Sequence, residues 1–329
     1  MSASAVLLLG LPVQINAKPL PRLTVSGQFF GTETGERFTA IECSDFNLLA
    51  RYLDGEDIRP VLRNRVGFNM LRVWTLMQLS QYGIGDLTLD MHPDLYERIP
   101  DFCRLCGSFG FYIEFTAYTG INDPNHWERL GEAVKGCSNV ILELVNELDQ
   151  NTNEPDSDGR IFDLSLYDKI DGVLCSHGSN GSEHWPVEPY WDYTTMHFND
   201  AHEWQRKVGH NAWEIWLGPT LSNENTRPDK DGAIWHFEDA AEGAALLCAG
   251  SCFHSQSGKA STVFSAQDAQ FAQAWLAGAQ SVPLRYQPGA YRHGQDEIDV
   301  EHDEHLLRVY QRVLSDGDGW MVKIRNGYA

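Results

Sequence analysis

The stretch NVILELVNELDQN, residues 139–151, decides how the rest of the chain is interpreted. Its first half, residues 140–145, consists of aliphatic residues around a single glutamate, Glu143, which is typical of a strand buried on both faces of a parallel sheet. The run then stops on Asn146 and Glu147. An amide and an acid placed directly after a buried strand need partners or a function, because burying polar groups unpaired costs free energy.

Similar apolar runs recur along the chain and alternate with segments of helical periodicity. Eight of these runs are predicted strands, at residues 37–42, 68–74, 111–118, 139–146, 171–177, 192–198, 214–222 and 244–253. This alternation predicts an α/β protein with the fold of a (β/α)8 TIM barrel. A doubly wound open sheet is the alternative, but the chain lacks the glycine-rich phosphate-binding loops that usually accompany that fold.

The two ends of the chain depart from this alternation. Residues 23–46 contain two strand-like runs around the turn sequence GTETGE, which predicts an N-terminal hairpin closing the bottom of the barrel. After residue 281 the sequence is polar and irregular before a last helical run and a terminal strand. We therefore assign residues 1–281 to the barrel with its hairpin, and residues 282–329 to a small C-terminal appendage packed on it, too short for a core of its own.

The bulk composition restricts the partners of the protein. Of 329 residues, 25 are Lys or Arg and 46 are Asp or Glu, for a net charge of −21, which repels nucleic acid and anionic membranes. The N-terminal apolar run has no basic residue ahead of it, so no secretory signal is expected and the default location is cytoplasmic, with release by another route left open. The oligomeric state does not follow from the sequence.

Two glutamates are placed where barrel enzymes carry out their chemistry, at the carboxyl ends of the strands. Glu147 follows the fourth predicted strand and Glu224 follows the seventh, so the two are expected to face each other across the barrel mouth. With a side-chain period of two, Glu143 would share the face of Glu147 and point toward the barrel axis. The alternative, weighed equally, is that Asn146 and Glu147 merely begin a loop and Glu143 faces the helices.

A facing pair of carboxyl groups fits the hydrolysis of glycosidic bonds. One group protonates the departing oxygen, and the other meets the positive charge that develops at the anomeric carbon. When the groups are about 5–5.5 Å apart the second attacks directly and configuration is retained, whereas about 6.5–9.5 Å leaves room for a water and inverts it.

The segment ILELVNEL, residues 141–148, resembles the ELxNEP signature of the retaining glycoside hydrolases of clan A, the group that contains family 5 cellulases and mannanases. The resemblance covers about residues 24–280 and is local at motif strength. It implies that Glu147 is the acid/base, that Glu224 is the nucleophile and that Asn146 donates a hydrogen bond to the sugar 2-hydroxyl.

Two further residues match the pattern of this clan. Arg72 is similar to the arginine that ends strand two and keeps the nucleophile ionised, and His197 is similar to the histidine of the strand-six HxY motif. The chain also departs from the pattern, because Leu148 stands for a proline, Asn199 for the tyrosine, and Phe253 with His254 for a strand-eight tryptophan. These departures leave the clan assignment in place and weaken any transfer of substrate.

Aromatic residues near the predicted mouth are candidates for stacking on sugar rings. They are Trp74 at the end of the second strand, Trp185 and Trp191 in the segment after the fifth, and Trp235 after the seventh. For each of them, ordinary packing is an alternative interpretation.

These observations predict a retaining β-glycoside hydrolase that acts on an oligo- or polysaccharide without a cofactor. No metal site is predicted, because the chain has no HExxH motif and His302 and His305 lie in an acidic helix start. A transglycosylase, which differs only in the acceptor, and a catalytically decayed carbohydrate-binding barrel remain as alternatives.

Overall fold

The computed structural model describes residues 18–27, 29–120, 123–148, 163–179, 191–197, 218–224 and 233–281. Eight parallel strands form its main sheet: β4 (Ala40–Ser44), β5 (Met70–Gln78), β7 (Tyr112–Thr119), β8 (Val140–Val145), β9 (Leu174–Gly178), β10 (Thr194–His197), β11 (Thr220–Glu224) and β12 (Gly250–Phe253). The short strand β6 (Asp86–Leu87) pairs antiparallel with the end of β5. The remaining strands, β1 (Leu23–Ser26), β2 (Phe29–Thr32) and β3 (Arg37–Phe38), form a separate sheet.

The parallel strands follow one another around a nearly closed ring. Their hydrogen-bonded order is β10, β11, β12, β4, β5, β7, β8 and β9, which is the chain order if β4 is taken as the first strand. The two ends of this order meet where the backbone N–H of Asp192, just before β10, donates to the carbonyl oxygen of Cys175 in β9 at 3.0 Å. The predicted (β/α)8 barrel is therefore confirmed.

The floor of the barrel is apolar and is covered by the N-terminal sheet. Side chains from seven parts of the ring and two from the N-terminal sheet form one buried cluster: Ala40, Met70, Tyr112, Ile141, Tyr193, Leu221 and Ala249, together with Leu23 and Phe30. The predicted hairpin is present as β2 and β3. The predicted strand at residues 37–42 is wrong in one respect, because Arg37–Phe38 pairs with β2 and the barrel strand begins only at Ala40.

Helices occupy the connections between the strands. The structure contains helices Leu48–Leu53, Arg59–Asn64, Leu95–Ser108, Pro124–Val134, Ile234–Leu247, Gln256–Ala260 and Ala266–Ser281, and the 3-10 turns Ser80–Tyr82 and Leu164–Leu166. The predicted eighth strand, residues 244–253, starts too early, since its first four residues complete a helix. Within the described ranges, no helix combines the length and apolar character needed to cross a membrane.

Local sequence explains where these helices begin. The helix Pro124–Val134 starts with proline, whose fixed φ suits a first turn, and the side chain of Asp123 accepts a hydrogen bond from the N–H of Asn125 at 3.1 Å. The hydroxyl of Ser255 caps the helix Gln256–Ala260 in the same way, by accepting from the N–H of Gly258 at 3.0 Å. The predicted appendage at residues 282–329 lies outside the described residues.

Candidate active site

Glu147 and Glu224 meet at the mouth of the barrel. Glu147 lies two residues beyond the end of β8, and Glu224 is the last residue of β11. An oxygen of each carboxyl group and Nδ1 of His197 all lie within 4.8 Å of one another. The structure thus brings together two acids that are 77 residues apart, which is 224 minus 147.

The backbone at Glu147 adopts an unusual conformation. Its φ is +53°, in the left-handed region that non-glycine residues rarely occupy and that costs of order 1 kcal/mol or more. Hydrogen bonds on both sides hold this turn: the N–H of Asn146 donates to the carbonyl of Tyr118 at 3.0 Å, and that of Leu148 to the carbonyl of Ser179 at 2.9 Å. The backbone around Glu147 is therefore fixed by hydrogen bonds to β7 and to the residue that follows β9.

A glycine permits the close approach of β9 to this turn. Gly178 pairs with Val145, and a Cβ atom at Gly178 would lie 1.9 Å from the carbonyl oxygen of Val145. Its φ of +102° also disfavours any side chain. The chain can therefore end β8 beside β9 only with glycine at this position.

Arg72 connects the acids of the site. Its Nη1 lies 3.3 Å from Oε2 of Glu224, while its Nη2 donates to Oδ1 of Asn146 at 2.8 Å and to Oε2 of Glu143 at 2.6 Å. Burial alone would lower the pKa of Arg72, but the carboxylates of Glu143 and Glu224 raise it, so the guanidinium remains charged. A fixed positive charge beside Glu224 favours the ionised form of that carboxyl group.

Glu143 lies inside the barrel and not on the helix side. Besides Arg72, its oxygens accept hydrogen bonds from the Thr116 hydroxyl at 2.6 Å, the Thr195 hydroxyl at 2.9 Å and the Asn223 amide at 2.8 Å. Burial alone would raise the pKa of Glu143, but the charge of Arg72 outweighs it and holds the pKa below its ordinary value. Glu143 is therefore the ionised partner of Arg72, and the helix-facing alternative is ruled out.

Two more buried acids lie in the same layer, and the sequence analysis did not identify them. Glu114 accepts from the Tyr193 hydroxyl at 2.8 Å and the Asn223 amide at 2.9 Å, yet burial and the charge of Glu143 raise its pKa to about 7. Glu42 accepts no hydrogen bond from an N–H or O–H group of the described residues, and burial raises its pKa well above the ordinary value. The one available signal was that both residues interrupt otherwise apolar strands.

His197 lies between the two candidate catalytic acids. It is fully buried, and its Nδ1 is 3.4 Å from Oε1 of Glu147 and 3.5 Å from Oε2 of Glu224. Burial alone would lower the pKa of His197, but the negative charge of Glu224 raises it. The contact with Glu224 therefore favours the protonated form of the imidazole.

The atoms of Glu147, His197 and Glu224 are spaced closely enough to surround a divalent ion. However, Nη1 of Arg72 is 3.3 Å from Oε2 of Glu224 and its Nη2 is 3.3 Å from Nε2 of His197. A permanent cation against two of the three ligands opposes the binding of a divalent cation among them.

An aromatic wall borders the site on the side of β5. Trp74 is fully buried, donates from Nε1 to the Thr119 hydroxyl at 2.8 Å, and has the guanidinium of Arg72 4.5 Å from its ring centroid. Phe46, which follows β4, covers Trp74 with a centroid distance of 3.6 Å, and the imidazole of His254 stands edge-on to Phe46 at 5.2 Å. The predicted sugar-contacting residue Trp74 thus backs Phe46, which the sequence analysis had not singled out.

Among the other predicted aromatic residues, Trp191 packs against aromatic rings. Trp191 precedes β10 at the amino end of that strand, and its ring lies against His177 at 3.7 Å and Trp127 at 5.7 Å. His177 is on the outer face of β9, since the next inward position, Ser176, pairs with Glu143. Trp191 therefore packs on the outer face of β9, and its contact with a sugar stays a prediction.

Trp235 begins the helix that follows β11 and is 60% exposed, with its ring 3.7 Å from that of His236. It stays a candidate for contact with an extended substrate. Trp185 and Asn199 lie outside the described residues.

Comparison with known proteins gives a match in structure only. No family model matches the chain, and no curated protein sequence does. A protein from Bacteroides vulgatus assigned to the glycoside hydrolases superposes with a TM-score of 0.54 at 11% identity, over 78% of this chain and 60% of that one. This chain thus spans 60% of the length of that relative.

Two smaller enzymes are matched over nearly their whole length. A β-glucanase from Saccharophagus degradans, solved in complex with cellotetraose, gives a TM-score of 0.50 at 16% identity, over 81% of this chain and 97% of that one. A β-1,4-D-mannanase from Cryptopygus antarcticus gives a TM-score of 0.51 at 12% identity, over 79% of this chain and 95% of that one. At these identities the likeness establishes the fold, which this chain shares with barrel glycoside hydrolases.

Proposed function

We propose that the protein is a retaining β-glycoside hydrolase that cleaves an oligo- or polysaccharide with Glu224 as the nucleophile and Glu147 as the acid/base. The observation that carries this proposal is the spacing of the two carboxyl groups, which approach within 4.8 Å. Such a close approach of one oxygen from each group favours the roughly 5–5.5 Å separation of retaining enzymes over the roughly 6.5–9.5 Å separation at which an inverting enzyme holds a water between the groups.

The charges around the pair support different roles for the two acids. Glu224 lies against the guanidinium of Arg72, which favours the carboxylate that a nucleophile must be. Glu147 contacts Nδ1 of His197 at 3.4 Å, and its side chain is 15% exposed, so solvent reaches this carboxyl group. This difference assigns attack to Glu224 and proton transfer to Glu147.

The reaction takes two displacements. In the first, a carboxylate oxygen of Glu224 attacks the anomeric carbon while Glu147 protonates the glycosidic oxygen, so that the C–O bond breaks and the aglycone leaves as an alcohol. In the second, Glu147, now ionised, takes a proton from water as the water oxygen attacks the anomeric carbon and releases Glu224. Two inversions return the original configuration.

The fold and the charge support one class of substrate. The β-glucanase that shares this fold was solved with cellotetraose, a neutral β-linked oligosaccharide. A net charge of −21 and the two carboxyl groups at the mouth oppose a polyanionic sugar chain. A neutral β-glycan is therefore the substrate class we assign.

The test is a screen of chromogenic β-glycosides and neutral polysaccharides, followed by proton NMR of the first sugar released. We expect hydrolysis in which the new reducing end appears first in the β configuration, and its loss in Glu224→Gln but not in Glu132→Gln, an exposed helix glutamate. Appearance of the α anomer first would reject the retaining mechanism. Saccharide binding without turnover would instead favour the binding-protein alternative, and transfer to an added sugar acceptor in preference to water would favour a transglycosylase.

A further inference from the structure

The carboxyl group of Glu224 is contacted from two sides. Its Oε2 faces Nη1 of Arg72 at 3.3 Å and Nδ1 of His197 at 3.5 Å. Its other oxygen, Oε1, faces Nε2 of His254 at 3.8 Å. This distance is longer than a hydrogen bond, so the contact in the unliganded protein is electrostatic.

His254 directly follows β12, the last strand of the barrel, and is fully buried. Its Nδ1 lies 3.0 Å from the hydroxyl of Ser44 at the end of the neighbouring strand β4. The Ser44 hydroxyl in turn lies 3.2 Å from Sγ of Cys252. A buried ring held at one nitrogen by a strand-borne hydroxyl has little freedom to turn away from Glu224.

The protonation of this ring follows from its surroundings. If the imidazole is neutral, the tautomer with hydrogen on Nε2 is favoured, because it points an N–H at the carboxylate while Nδ1 accepts from the Ser44 hydroxyl. If the imidazole is a cation, Nε2 again carries hydrogen and Nδ1 donates to Ser44. In both cases Nε2 presents a hydrogen to Oε1 of Glu224.

We propose that His254, oriented by Ser44, is a positioning residue for Glu224 that holds its Oε1 from the side opposite Arg72 and favours its ionised form. This inference rests on the proposed function, since it assigns a role to a group that supports the nucleophile. It gives the end of the last barrel strand a part in the chemistry, through its contact with Glu224.

The kinetic test compares His254→Phe, which keeps a ring against Phe46 but removes the donor, with His254→Gln, whose amide can place an N–H near the position of Nε2. We expect His254→Phe to lower kcat/KM about tenfold or more and to move the acidic limb of its pH profile to higher pH, because an N–H group aimed at a carboxylate favours the ionised carboxylate by about that factor. The charges of Arg72, His197 and Glu147 also influence this pH profile, and all the variants retain these residues. His254→Gln should recover most of the activity and the position of the limb.

A role confined to packing would lower kcat/KM equally at all pH values in His254→Phe and would not be rescued by His254→Gln. That result, or full activity in His254→Phe with an unchanged profile, would overturn the inference. Thermal unfolding of each variant separates both results from loss of the fold.

A second measurement does not depend on hydrolysis. Nitrogen-15 NMR of the histidine rings distinguishes a protonated from a bare ring nitrogen, and we expect hydrogen on Nε2 of His254 in the native protein. Glu224→Gln and Ser44→Ala should each shift the tautomer balance of His254. The ring of His126, which bonds to the hydroxyls of Thr75 and Tyr96, is the internal control and should not change.

If the native protein hydrolyses nothing in the screen, the proposed function fails, and the NMR measurement still decides whether His254 faces Glu224 as inferred. If hydrolysis is found but the tautomer of His254 is indifferent to Glu224→Gln, the inference is overturned and the proposed function stands.

Discussion

The floor and the mouth of the barrel are built from the same strands and have opposite character. On β8, Ile141 belongs to the apolar floor, Glu143 two residues later belongs to the buried ionic layer, and Glu147 reaches the mouth. On β5 the change from Met70 to Arg72 takes the same two residues. The comparison teaches that one side-chain period separates the residues that stabilise the fold from those available for chemistry.

The layer between them is what makes this arrangement costly. Glu42, Glu114 and Glu143 are fully buried there with the single guanidinium of Arg72 among their described partners. Buried acids in excess of buried bases must share protons or hydrogen bonds, as the raised pKa values of Glu42 and Glu114 indicate. Substitutions in the three zones should therefore separate activity, stability and pH dependence.

The largest expected effect is a loss of activity from a substitution at the mouth, which leaves the apolar floor unchanged. Glu147→Ala should lower kcat/KM by about 10²- to 10⁴-fold on substrates with poor leaving groups, because these depend on protonation. The loss should be much smaller for activated aryl glycosides, whose kcat azide should partly restore as a replacement nucleophile for water. An equal loss on all leaving groups without any response to azide would remove Glu147 from the acid/base role.

The next largest effect is a loss of stability from a substitution in the buried ionic layer. Arg72→Met should lower the free energy of unfolding by about 3–5 kcal/mol, because it leaves Glu143 buried without its cation. Urea denaturation measures this change. The matched control is Arg104→Met, an exposed pair with Asp101, which should stay within about 0.5 kcal/mol of the native protein. Equal losses in the two variants would mean that the buried layer has no special dependence on its cation.

A smaller effect concerns pH. Glu114 has its pKa raised from 4.5 to about 7 in the folded protein, so between these values the folded protein holds a proton that the unfolded chain has lost. Stability should therefore fall as pH rises from 4.5 to about 7 and level off above. Glu114→Gln should flatten this decline, measured as the unfolding midpoint against pH. Glu42 acts in the same direction and should leave a residual slope, while a steeper decline in Glu114→Gln would contradict the assignment.

The smallest expected effect is a loss of stability from a substitution in the apolar floor. Ile141→Val removes one methylene from the apolar cluster and should cost about 0.5–1.5 kcal/mol of stability. Because Ile141 has no contact with the ionic layer through a polar atom, kcat/KM should equal that of the native protein. A change in the pH profile of this variant would show that floor and mouth are coupled.

The fold could be predicted because strand and helix patterns depend on nearby residues. The positions of Glu147 and Glu224 followed from that pattern, since the carboxyl ends of parallel strands share one face of the barrel. The left-handed turn at Glu147 could not be predicted, because it depends on hydrogen bonds to Tyr118 and Ser179 on two other strands.

Side-chain contacts between residues that are distant in the sequence could not be predicted either. The contact of Ser44 with His254 joins residues 210 positions apart, and nothing local marks either one. The packing of Trp191 against His177 and Trp127 was also not predicted, because the three residues lie on separate parts of the chain. The sequence pattern therefore located the strands but not the contacts between side chains from different parts of the chain.

The central claim is that Glu224 forms a covalent bond with the anomeric carbon. A 2-deoxy-2-fluoro glycoside with an activated leaving group, of the sugar identified in the screen, should accumulate that intermediate, because fluorine slows both steps and the leaving group speeds only the first. Peptide mass spectrometry should then find the fluorosugar on Glu224 in the native protein and no adduct in Glu224→Gln. An adduct on Glu147, or turnover with inverted configuration and no adduct, would contradict the account.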